Sequence, residues 1–231
     1  MRLDIIAIRK GGETERAALE WDRCVAVGYA GRDQKSVKAH VAELAAIGVP
    51  APSSVPSMYW IDPTRVTTDR KLCVIGGGCS GEVEFFAAFD SFGKMYFTVA
   101  SDHTDRKLET ISVAKAKQGC TKVIGDIFWR FDDVKDHWDE IKLTSWVRES
   151  ADKPERVYQD GTLGMILTPD ELLACAERET FPEGRIAYFS GTIPLKGEIS
   201  YRGAFRMELA DPVLKRSIKH EYEVVLLPDR N

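Results

Sequence analysis

The clearest hydrophobic pattern lies between residues 80 and 105, where two apolar runs flank the polar segment DSFGK. The runs extend from about residue 82 to 89 and from about residue 95 to 101. Their length and their content of aromatic and β-branched residues predict two strands, and the glycine-containing segment between them predicts a hairpin loop. Acidic residues interrupt this otherwise apolar pattern near the open end of the hairpin.

The register of this hairpin decides which way its acidic residues point. If Phe89 faces Met95, antiparallel pairing places Glu82 opposite Asp102, and Glu84 lies two residues further along the strand. Opposed residues share a face about 5 Å apart, and residues two apart on a strand share a face at about 7 Å. This register therefore gathers three carboxylates, although a slip of one residue would separate them.

Three ionised carboxylates this close repel one another unless a cation neutralises them. All-oxygen ligation suits Mg²⁺, Mn²⁺ or Ca²⁺ better than Zn²⁺. The alternative is that the acids lie on a solvated sheet face and are neutralised by nearby lysine and arginine side chains.

The rest of the chain predicts many strands and few helices. Val37, Val41 and Leu44 have helical spacing, which predicts a helix from Asp33 to Ile47 with His40 on the same stripe. A second helix is predicted from Thr104 to Gln118 and a third near Pro169, and residues 149–161 are predicted to form a loop. Further strands are predicted in LDIIAI, CVAVGYAG, KLCVIGGG, KLTSWV, GMILT, RIAYFSG, AFRMEL and YEVVLL. This pattern favours an α+β fold with a mixed, mostly antiparallel sheet, and the lack of a linker predicts one domain, 1–231.

Composition and charge narrow the function classes. The net charge is −4 and the lysines and arginines are dispersed, which argues against nucleic acid or an anionic membrane as a partner. No stretch has the length of a membrane span, and the N-terminus is interpreted as a first strand and not as a signal peptide. The segment GGG at 76–78 lacks the lysine and the helix of a phosphate loop, so no nucleotide site is predicted. The five cysteines are interpreted as reduced, mostly buried thiols of a cytoplasmic protein.

An ordered series of motifs resembles the fumarylacetoacetate hydrolase superfamily, and more specifically a short, divergent branch of unassigned function. The series runs from about residue 24 to 194 and comprises CVAVGYAGRDQKSVKAHVAEL, VPSMYWIDPT, GEVEFF, SDHTDRKLE, AKAKQGCTKVIGDIFW, ERVYQDGTLGMILTPDELLA and GRIAYFSGTIP. Each motif is weak alone, but their order is specific. The chain departs from the family's usual residues at Asp62, His103, Asp105, Glu109 and Asp126, which affects the expected substrate more than the metal site.

The resemblance implies a fold, a metal and an assembly. The expected fold is a β-roll, a curled mixed sheet with a few peripheral helices, and a homodimer is usual in the family. Glu82, Glu84 and Asp102 correspond to the ligands of Mg²⁺, or of Mn²⁺ or Ca²⁺.

The resemblance also assigns expected roles to residues outside the acidic hairpin. His40 and Glu43 lie three apart on the predicted helix and correspond to a lid dyad that activates water. Lys117 is expected to stabilise an enolate or oxyanion, with Lys115 and Lys122 as rivals. The residues expected to contact the substrate or its surroundings are Arg106, Thr192, Gly191, Tyr59 and Gln159. Arg106 has a structural ion pair with Asp102 or Glu109 as its alternative role, and His103 is expected to be structural.

The function implied is a metal-dependent hydrolase that cleaves a C–C bond in a small 1,3-dicarbonyl or acylpyruvate-like 2-oxo acid. Decarboxylation or isomerisation of a 2-oxo acid is the alternative on the same scaffold. A non-catalytic ligand-binding relative is the alternative from a different class.

Overall fold

The described part of the chain folds into three β-sheets with a few short helices. The computed structural model describes residues 1–46, 48–179 and 183–230, apart from the side chain of His40. The strands are β1 (Arg2–Ile8), β2 (Thr14–Glu20), β3 (Arg23–Gly28), β4 (Ser57–Ile61), β5 (Val66–Thr67), β6 (Lys71–Ile75), β7 (Cys79–Ser80), β8 (Val83–Phe89), β9 (Met95–Ser101), β10 (Thr104–Asp105), β11 (Lys122–Ile124), β12 (Ile127–Arg130), β13 (Lys142–Arg148), β14 (Arg156–Thr162), β15 (Ile186–Phe189), β16 (Gly203–Asp211) and β17 (Arg216–Leu227). The helices are α1 (Gln34–Ala46), α2 (Arg106–Glu109), α3 (Val113–Gly119) and α4 (Pro169–Glu177), with short 3-10 helices at Pro63–Arg65, Phe131–Asp133, Lys135–Glu140 and Leu163–Met165.

The largest sheet has ten strands, in the order β2-β1-β12-β9-β8-β15-β3-β4, with β11 and β5 attached beside β9. A second sheet has the order β14-β13-β16-β17-β6, and β7 and β10 form a two-stranded ribbon. Four strand pairings are parallel, β1 with β12, β5 with β11, β3 with β15 and β6 with β17, and the others in the described chain are antiparallel. The α+β class with a mixed, mostly antiparallel sheet that curls into a roll is confirmed.

Strands β8 and β9 lie at the centre of the fold and are buried on both faces. Phe85 and Phe97 point into the larger core, which lies between the two main sheets. Phe86 and Tyr96 point to the opposite face and pack into a second core. Double burial explains why these strands are continuous apolar runs instead of alternating polar and apolar residues. The strands of this hairpin are consequently held by packing on both faces.

The hairpin has the predicted register. Phe89 pairs with Met95 and Glu84 with Ala100, and beyond the ladder the Asp102 N–H donates to the Glu82 carbonyl at 3.0 Å. The loop closes because the Asp90 carboxylate accepts from the N–H groups of residues 92 and 94, at 2.8 and 2.9 Å. The tight turn thus fixes the register, and the register fixes which face the acidic residues share.

The first predicted helix is confirmed as α1, which begins one residue later than predicted, and the predicted last residue, 47, lies outside the described residues. Val37 is buried and Val41 and Leu44 are half-buried, so the predicted apolar stripe is the face that packs. The remaining described side chains of α1 are exposed. Helix α1 is therefore attached along one narrow stripe.

Three predictions of secondary structure were wrong. The helix expected over 104–118 is two short helices, because Asp105 caps α2 and Ser112 caps α3, and the turn between them breaks the run. GMILT begins in a 3-10 helix rather than a strand. The loop expected over 149–161 contains strand β14, whose polar residues lie at the edge of the second sheet. No helix of the described chain combines the length and apolar character that crossing a membrane requires.

Candidate metal centre

The hairpin brings Glu82, Glu84 and Asp102 to one place, as the register predicts. Each offers one carboxylate oxygen, and these oxygens all lie within 4.8 Å of one another. Asp102 and Glu84 are almost completely buried, at 0% and 1% exposure, whereas the Glu82 side chain keeps 21%. We call these three residues the acidic cluster.

Glu84 is held by a backbone group instead of a cation. Its carboxylate accepts the N–H of Gly191 at 2.9 Å. Gly191 has φ +82°, and a Cβ atom at this position would lie 2.8 Å from the Ala30 Cβ and 2.9 Å from the Val27 carbonyl oxygen. Only glycine fits both the backbone conformation and the close approach, which explains the glycine in SGT.

Asp102 is neutralised by two buried lysines. The Lys117 ammonium donates to one carboxylate oxygen, and the Lys122 ammonium lies 2.7 Å from the other and also donates to the His103 carbonyl. Burial disfavours the Asp102 carboxylate, but the two ammonium charges outweigh it and hold its pKa well below the ordinary value. Burial likewise opposes the charge of Lys117, and Asp102 and Glu82 outweigh it and raise the Lys117 pKa.

Glu82 is bound by Arg106 at the half-open edge of the cluster. The Arg106 Nη2 lies 3.1 Å from Glu82, its Nη1 lies 3.1 Å from Glu109, and its Nε donates to the Ser80 hydroxyl at 2.6 Å. Lys117 lies 3.6 Å from the second Glu82 oxygen. The alternative role of Arg106, an ion pair with Glu109, is therefore present in the structure. The Arg106 guanidinium contacts Glu82, Glu109 and Ser80.

The acidic cluster consequently has one carboxylate that lacks an ion pair. No lysine or arginine of the described residues pairs with Glu84, and burial, followed by the Asp102 charge, raises its pKa well above the ordinary value. A buried, unpaired carboxylate beside two others is a costly arrangement, and a hard dication would relieve it. Three carboxylate oxygens at this spacing fit the ligand preference of Mg²⁺, Mn²⁺ or Ca²⁺, so the residues present fit such a metal.

Burial distinguishes Lys115, Lys117 and Lys122 as candidates for a role at the acidic cluster. Lys115 is exposed on α3, whereas Lys117 and Lys122 are buried at 5% and 0% exposure and both reach Asp102. Helical spacing explains this, because residues 115 and 117 point to different sides of α3. On sequence Lys122 was only a rival to Lys117, and its place three residues after the end of α3 gave no direct signal.

The side chains of Gln159 and Thr192 form hydrogen bonds with the backbone at the start of β8. The Gln159 amide accepts the Val83 N–H at 2.8 Å and donates to the Thr192 hydroxyl and the Ile193 carbonyl, each at 2.7 Å. The Thr192 hydroxyl in turn donates to the Val83 carbonyl at 2.8 Å. Both side chains are therefore satisfied within the protein, next to the residue that precedes Glu84.

Tyrosine side chains lie beside the lysine edge of the cluster. Tyr59 is half-buried, and the Lys117 Nζ lies 5.9 Å from its ring centroid, within the range of a cation–π contact. Tyr29 follows β3 with φ +58°, an uncommon conformation for a residue with a side chain. Burial, followed by the Tyr59 charge, raises the Tyr29 pKa to about 12, and Glu109, Lys117 and Glu82 also act on it. Sequence reasoning missed Tyr29, whose only signal was its place directly after an apolar strand.

The predicted lid dyad lies on α1. Glu43 is exposed on this helix, and the His40 side chain lies outside the described residues. Their roles stay predictions.

His103 lies in the short connection between β9 and β10, and its side chain packs against the second sheet. Its Nδ1 lies 3.0 Å from the Tyr222 hydroxyl, and its ring packs edge-on against Phe205 and Tyr222. Burial, followed by the Lys122 charge, lowers its pKa to about 3, so the ring is neutral. These contacts agree with the structural role expected for it.

Comparison with known proteins gives matches to solved structures and to one family model. No curated protein is significantly similar in sequence. A structure titled "2-keto-3-deoxy-D-arabinonate dehydratase complexed with magnesium and 2,5-dioxopentanoate" superposes with a TM-score of 0.60 at 16% identity, covering 94% of this chain and 77% of the other. The 4-oxalocrotonate decarboxylase from Pseudomonas putida G7, complexed with magnesium and adipate, has a TM-score of 0.54 at 13% identity, covering 87% and 77%.

Fumarylacetoacetate hydrolase from Exiguobacterium antarcticum superposes with a TM-score of 0.55 at 12% identity, covering 93% of this chain and 79% of that chain. At these identities the likeness concerns the fold, and the predicted resemblance is confirmed at that level. The family model described as "Protein of unknown function (DUF2848)" matches residues 27–222. The chain therefore belongs to this family, and it has the fold of the fumarylacetoacetate hydrolase superfamily.

Proposed function

We propose that this protein is a divalent-metal-dependent enzyme that acts on a small 2-oxo acid. The observation that carries the proposal is Glu84, a buried carboxylate beside two others that pairs with no lysine or arginine in the described part of the chain. Two structural neighbours form complexes with magnesium together with a dioxo acid or a dicarboxylate, which supports the same metal and ligand class. Mg²⁺ is the proposed metal, with Mn²⁺ or Ca²⁺ as substitutes.

Glu82, Glu84 and Asp102 would hold the metal, which acts in such sites as a Lewis acid that polarises a carbonyl oxygen. The Gly191 N–H orients Glu84, and Arg106 orients Glu82. We therefore assign Arg106 a positioning role in place of direct contact with the substrate. Gln159 and Thr192 are assigned positioning roles for the same reason, because their polar groups hold the start of β8.

Lys117 is proposed to stabilise the negative charge that develops on the substrate. Its ammonium lies at the edge of the acidic cluster, and it is buried and strongly held in the charged form. A buried fixed charge stabilises an enolate more than a solvated one does, because no water has to reorganise. The Tyr59 ring beside Lys117 is proposed to border the substrate pocket.

The reaction we propose is hydrolytic cleavage of a C–C bond in a 1,3-dicarbonyl or acylpyruvate-like acid. His40, oriented by Glu43, would take a proton from water, which then attacks the distal carbonyl. Lys117 would stabilise the enolate that leaves, and that enolate is finally protonated.

The second candidate is decarboxylation, dehydration or isomerisation of a 2-oxo acid. It is favoured by the position of Glu43, which is exposed on a narrowly attached helix, while the acidic cluster and Lys117 are buried. These reactions need the metal and the lysine but no attacking water. Glu43→Gln separates the two candidates: loss of turnover by about a hundredfold supports hydrolysis, and unchanged turnover supports the second candidate.

The experiment that tests the proposal is a screen of 2-oxo and 1,3-dicarbonyl acids with added Mg²⁺, followed through the loss of enol absorbance. Glu84→Gln is expected to abolish turnover and to weaken Mn²⁺ binding at least a hundredfold, because it removes one charged ligand. Glu177→Gln makes the same chemical change at an exposed position of α4 and serves as the control. Equilibrium dialysis that finds no saturable Mg²⁺ or Mn²⁺ binding would favour a non-catalytic relative.

The homodimer and the cytoplasmic location stay predictions, as does the single domain 1–231. Light scattering on the purified protein tests the dimer directly.

A further inference from the structure

Two cysteines face each other beside the acidic cluster. The Sγ atoms of Cys79 and Cys120 lie 3.1 Å apart, although 41 positions separate the residues in sequence. Both are buried, with 3% and 4% exposure, and both are free thiols. Cys73, which is exposed, offers a thiol of a different environment in the same protein.

The two cysteines lie on segments that support the acidic cluster. Cys79 is the first residue of β7, and its neighbour Ser80 accepts the Arg106 Nε–H. Cys120 follows the last residue of α3, the helix that carries Lys117, and precedes Lys122 by two positions. The loop from residue 79 to residue 120 therefore contains the whole acidic cluster and Lys117.

The electrostatic setting makes the two thiols unequal. The hydrogen bond with Cys79 lowers the Cys120 pKa, and the Lys122 charge adds to this effect against the opposing influence of burial. The same hydrogen bond and burial raise the pKa of Cys79. A second thiol 3.1 Å from a cysteine is the arrangement in which an oxidised thiol can be resolved to a disulfide.

We propose that Cys79 and Cys120 form a reversible disulfide when the protein meets a peroxide. The Cys120 thiolate attacks one peroxide oxygen, the O–O bond breaks, and the departing hydroxide takes up a proton to give water. The Cys79 thiol then attacks the sulfenic sulfur, its proton leaves with the hydroxyl group as a second water, and the S–S bond forms. Two thiols are oxidised and one peroxide is reduced, so atoms and electrons balance.

The disulfide changes the molecule in two ways. An S–S bond is about 2.05 Å long, so the two sulfurs move about 1 Å closer than their present distance. The bond also closes the loop that carries the acidic cluster, which restricts the unfolded chain and raises thermal stability. The proposal does not depend on the function proposed above, because it concerns the thiols alone.

Peptide mapping of the full-length protein tests the proposal. Trypsin cuts after Lys71, Lys94, Lys117 and Lys122, which leaves Cys73 and Cys79 in one peptide. The Cys73→Ser variant removes this ambiguity. It is treated with hydrogen peroxide, denatured in an alkylating agent and digested without reduction. We expect peptide 72–94 linked to peptide 118–122, and we expect the link to disappear after treatment with dithiothreitol.

Two results of the mapping would overturn the proposal. One is recovery of both peptides in the alkylated form after peroxide treatment of the folded protein. The other is separate oxidation of either thiol to a sulfinic or sulfonic acid without the link. Adding Cys120→Ser to the same background should abolish the link, and adding Cys24→Ser, a buried cysteine elsewhere, should leave it intact.

A melting experiment provides a second readout that needs no variant at the pair. The oxidised Cys73→Ser protein should melt about 5–10 °C above the reduced protein, and dithiothreitol should reverse the shift. A melting temperature that peroxide leaves unchanged would contradict the proposal even if the Cys120→Ser protein fails to fold.

Discussion

Two clusters of charge in the described fold each contain a fully buried carboxylate, and they differ in how their carboxylates are paired. One is the acidic cluster with its lysines. The other, which we call the Asp211 cluster, consists of Arg9, Asp133, His137, Asp211 and Arg216. Asp211 is as buried as Glu84, at 1% exposure in both cases.

In the Asp211 cluster every carboxylate is satisfied. Asp211 accepts the N–H groups of Val213 and Leu214 at 3.0 and 2.9 Å and lies 3.4 Å from the Arg216 Nε. Asp133 accepts from the Arg9 guanidinium at 2.8 Å. Burial opposes both carboxylates, but these partners outweigh it, and the pKa of Asp211 and of Asp133 is lowered.

The acidic cluster differs because burial outweighs the stabilising contacts of the Glu84 carboxylate, so the pKa of Glu84 is raised. Buried charge is therefore not by itself a sign of function, since the fold uses it structurally in the Asp211 cluster. A buried carboxylate that is held by a backbone N–H and pairs with no lysine or arginine of the described residues is the feature that points to a metal site.

The sharpest test of this contrast replaces the main cation of each cluster. Lys117→Met should lower turnover about a thousandfold, because it removes a fixed charge next to the reacting groups. Mn²⁺ binding should persist, because the three carboxylates remain. Turnover is measured with the substrate found in the screen, and Mn²⁺ binding is measured by calorimetry. Arg216→Met, the counterpart in the Asp211 cluster, should leave turnover per folded molecule unchanged, and equal losses in both variants would remove the distinction.

The next largest effect concerns stability and its dependence on pH. Asp211→Asn should lower the free energy of unfolding by about 3 kcal/mol at pH 7, because it breaks a buried, paired charge. The folded-state pKa of Asp211 is lowered, so its contribution is present above the unfolded pKa and is lost as pH falls through the folded value. Urea unfolding at pH 7 and below pH 4 should therefore show a penalty that shrinks in acid; a penalty of the same size at both pH values would mean that the charge is not its cause.

A smaller effect is expected at the glycine that holds Glu84. Gly191→Ala and Gly12→Ala both place a side chain at positive φ, but the Cβ of Gly12 would meet nothing within 4 Å. The two variants share the backbone strain, so Gly191→Ala should cost about 1–2 kcal/mol more because of its contacts with residues 27 and 30. Only Gly191→Ala should also weaken Mn²⁺ binding. Comparable metal affinity in both variants would show that the Gly191 N–H does not position Glu84.

The smallest expected effect is a gain in stability, in contrast to the losses above. Glu84→Gln should stabilise the metal-free protein by about 1 kcal/mol at pH 8, because the amide keeps the acceptor for Gly191 and removes the buried charge. The folded pKa of Glu84 is raised, so its contribution is present below the unfolded pKa and is lost as pH rises through the folded value. The gain should therefore vanish near pH 4, in the opposite direction to Asp211→Asn. A loss of stability at pH 8 would mean that Glu84 is already compensated.

The hairpin shows how much a local pattern can predict. Its strands, its loop and the pairing of Phe89 with Met95 follow from the two apolar runs and the turn between them. The grouping of the three carboxylates then follows from the two-residue period of a strand. Helix α1 was predicted equally well, because its apolar stripe has helical spacing.

Other features escaped prediction, either because two local signals compete or because the cause is a contact between distant segments. The helix expected over 104–118 breaks at capping side chains that compete with the helical pattern. The burial of Lys122 against Asp102, the ion pair of Arg106 with Glu82, and the contact of Cys79 with Cys120 join segments distant in sequence. No periodicity records such contacts.

The sequence by itself determined the hairpin register, and with it the shared face of Glu82, Glu84 and Asp102, because short-range turn chemistry and strand period fix both. Only the tertiary structure decided which carboxylates receive a cation. That outcome depends on where α3, β11 and β15 pack around the hairpin, and this packing leaves Asp102 with two lysines and Glu84 with a backbone N–H.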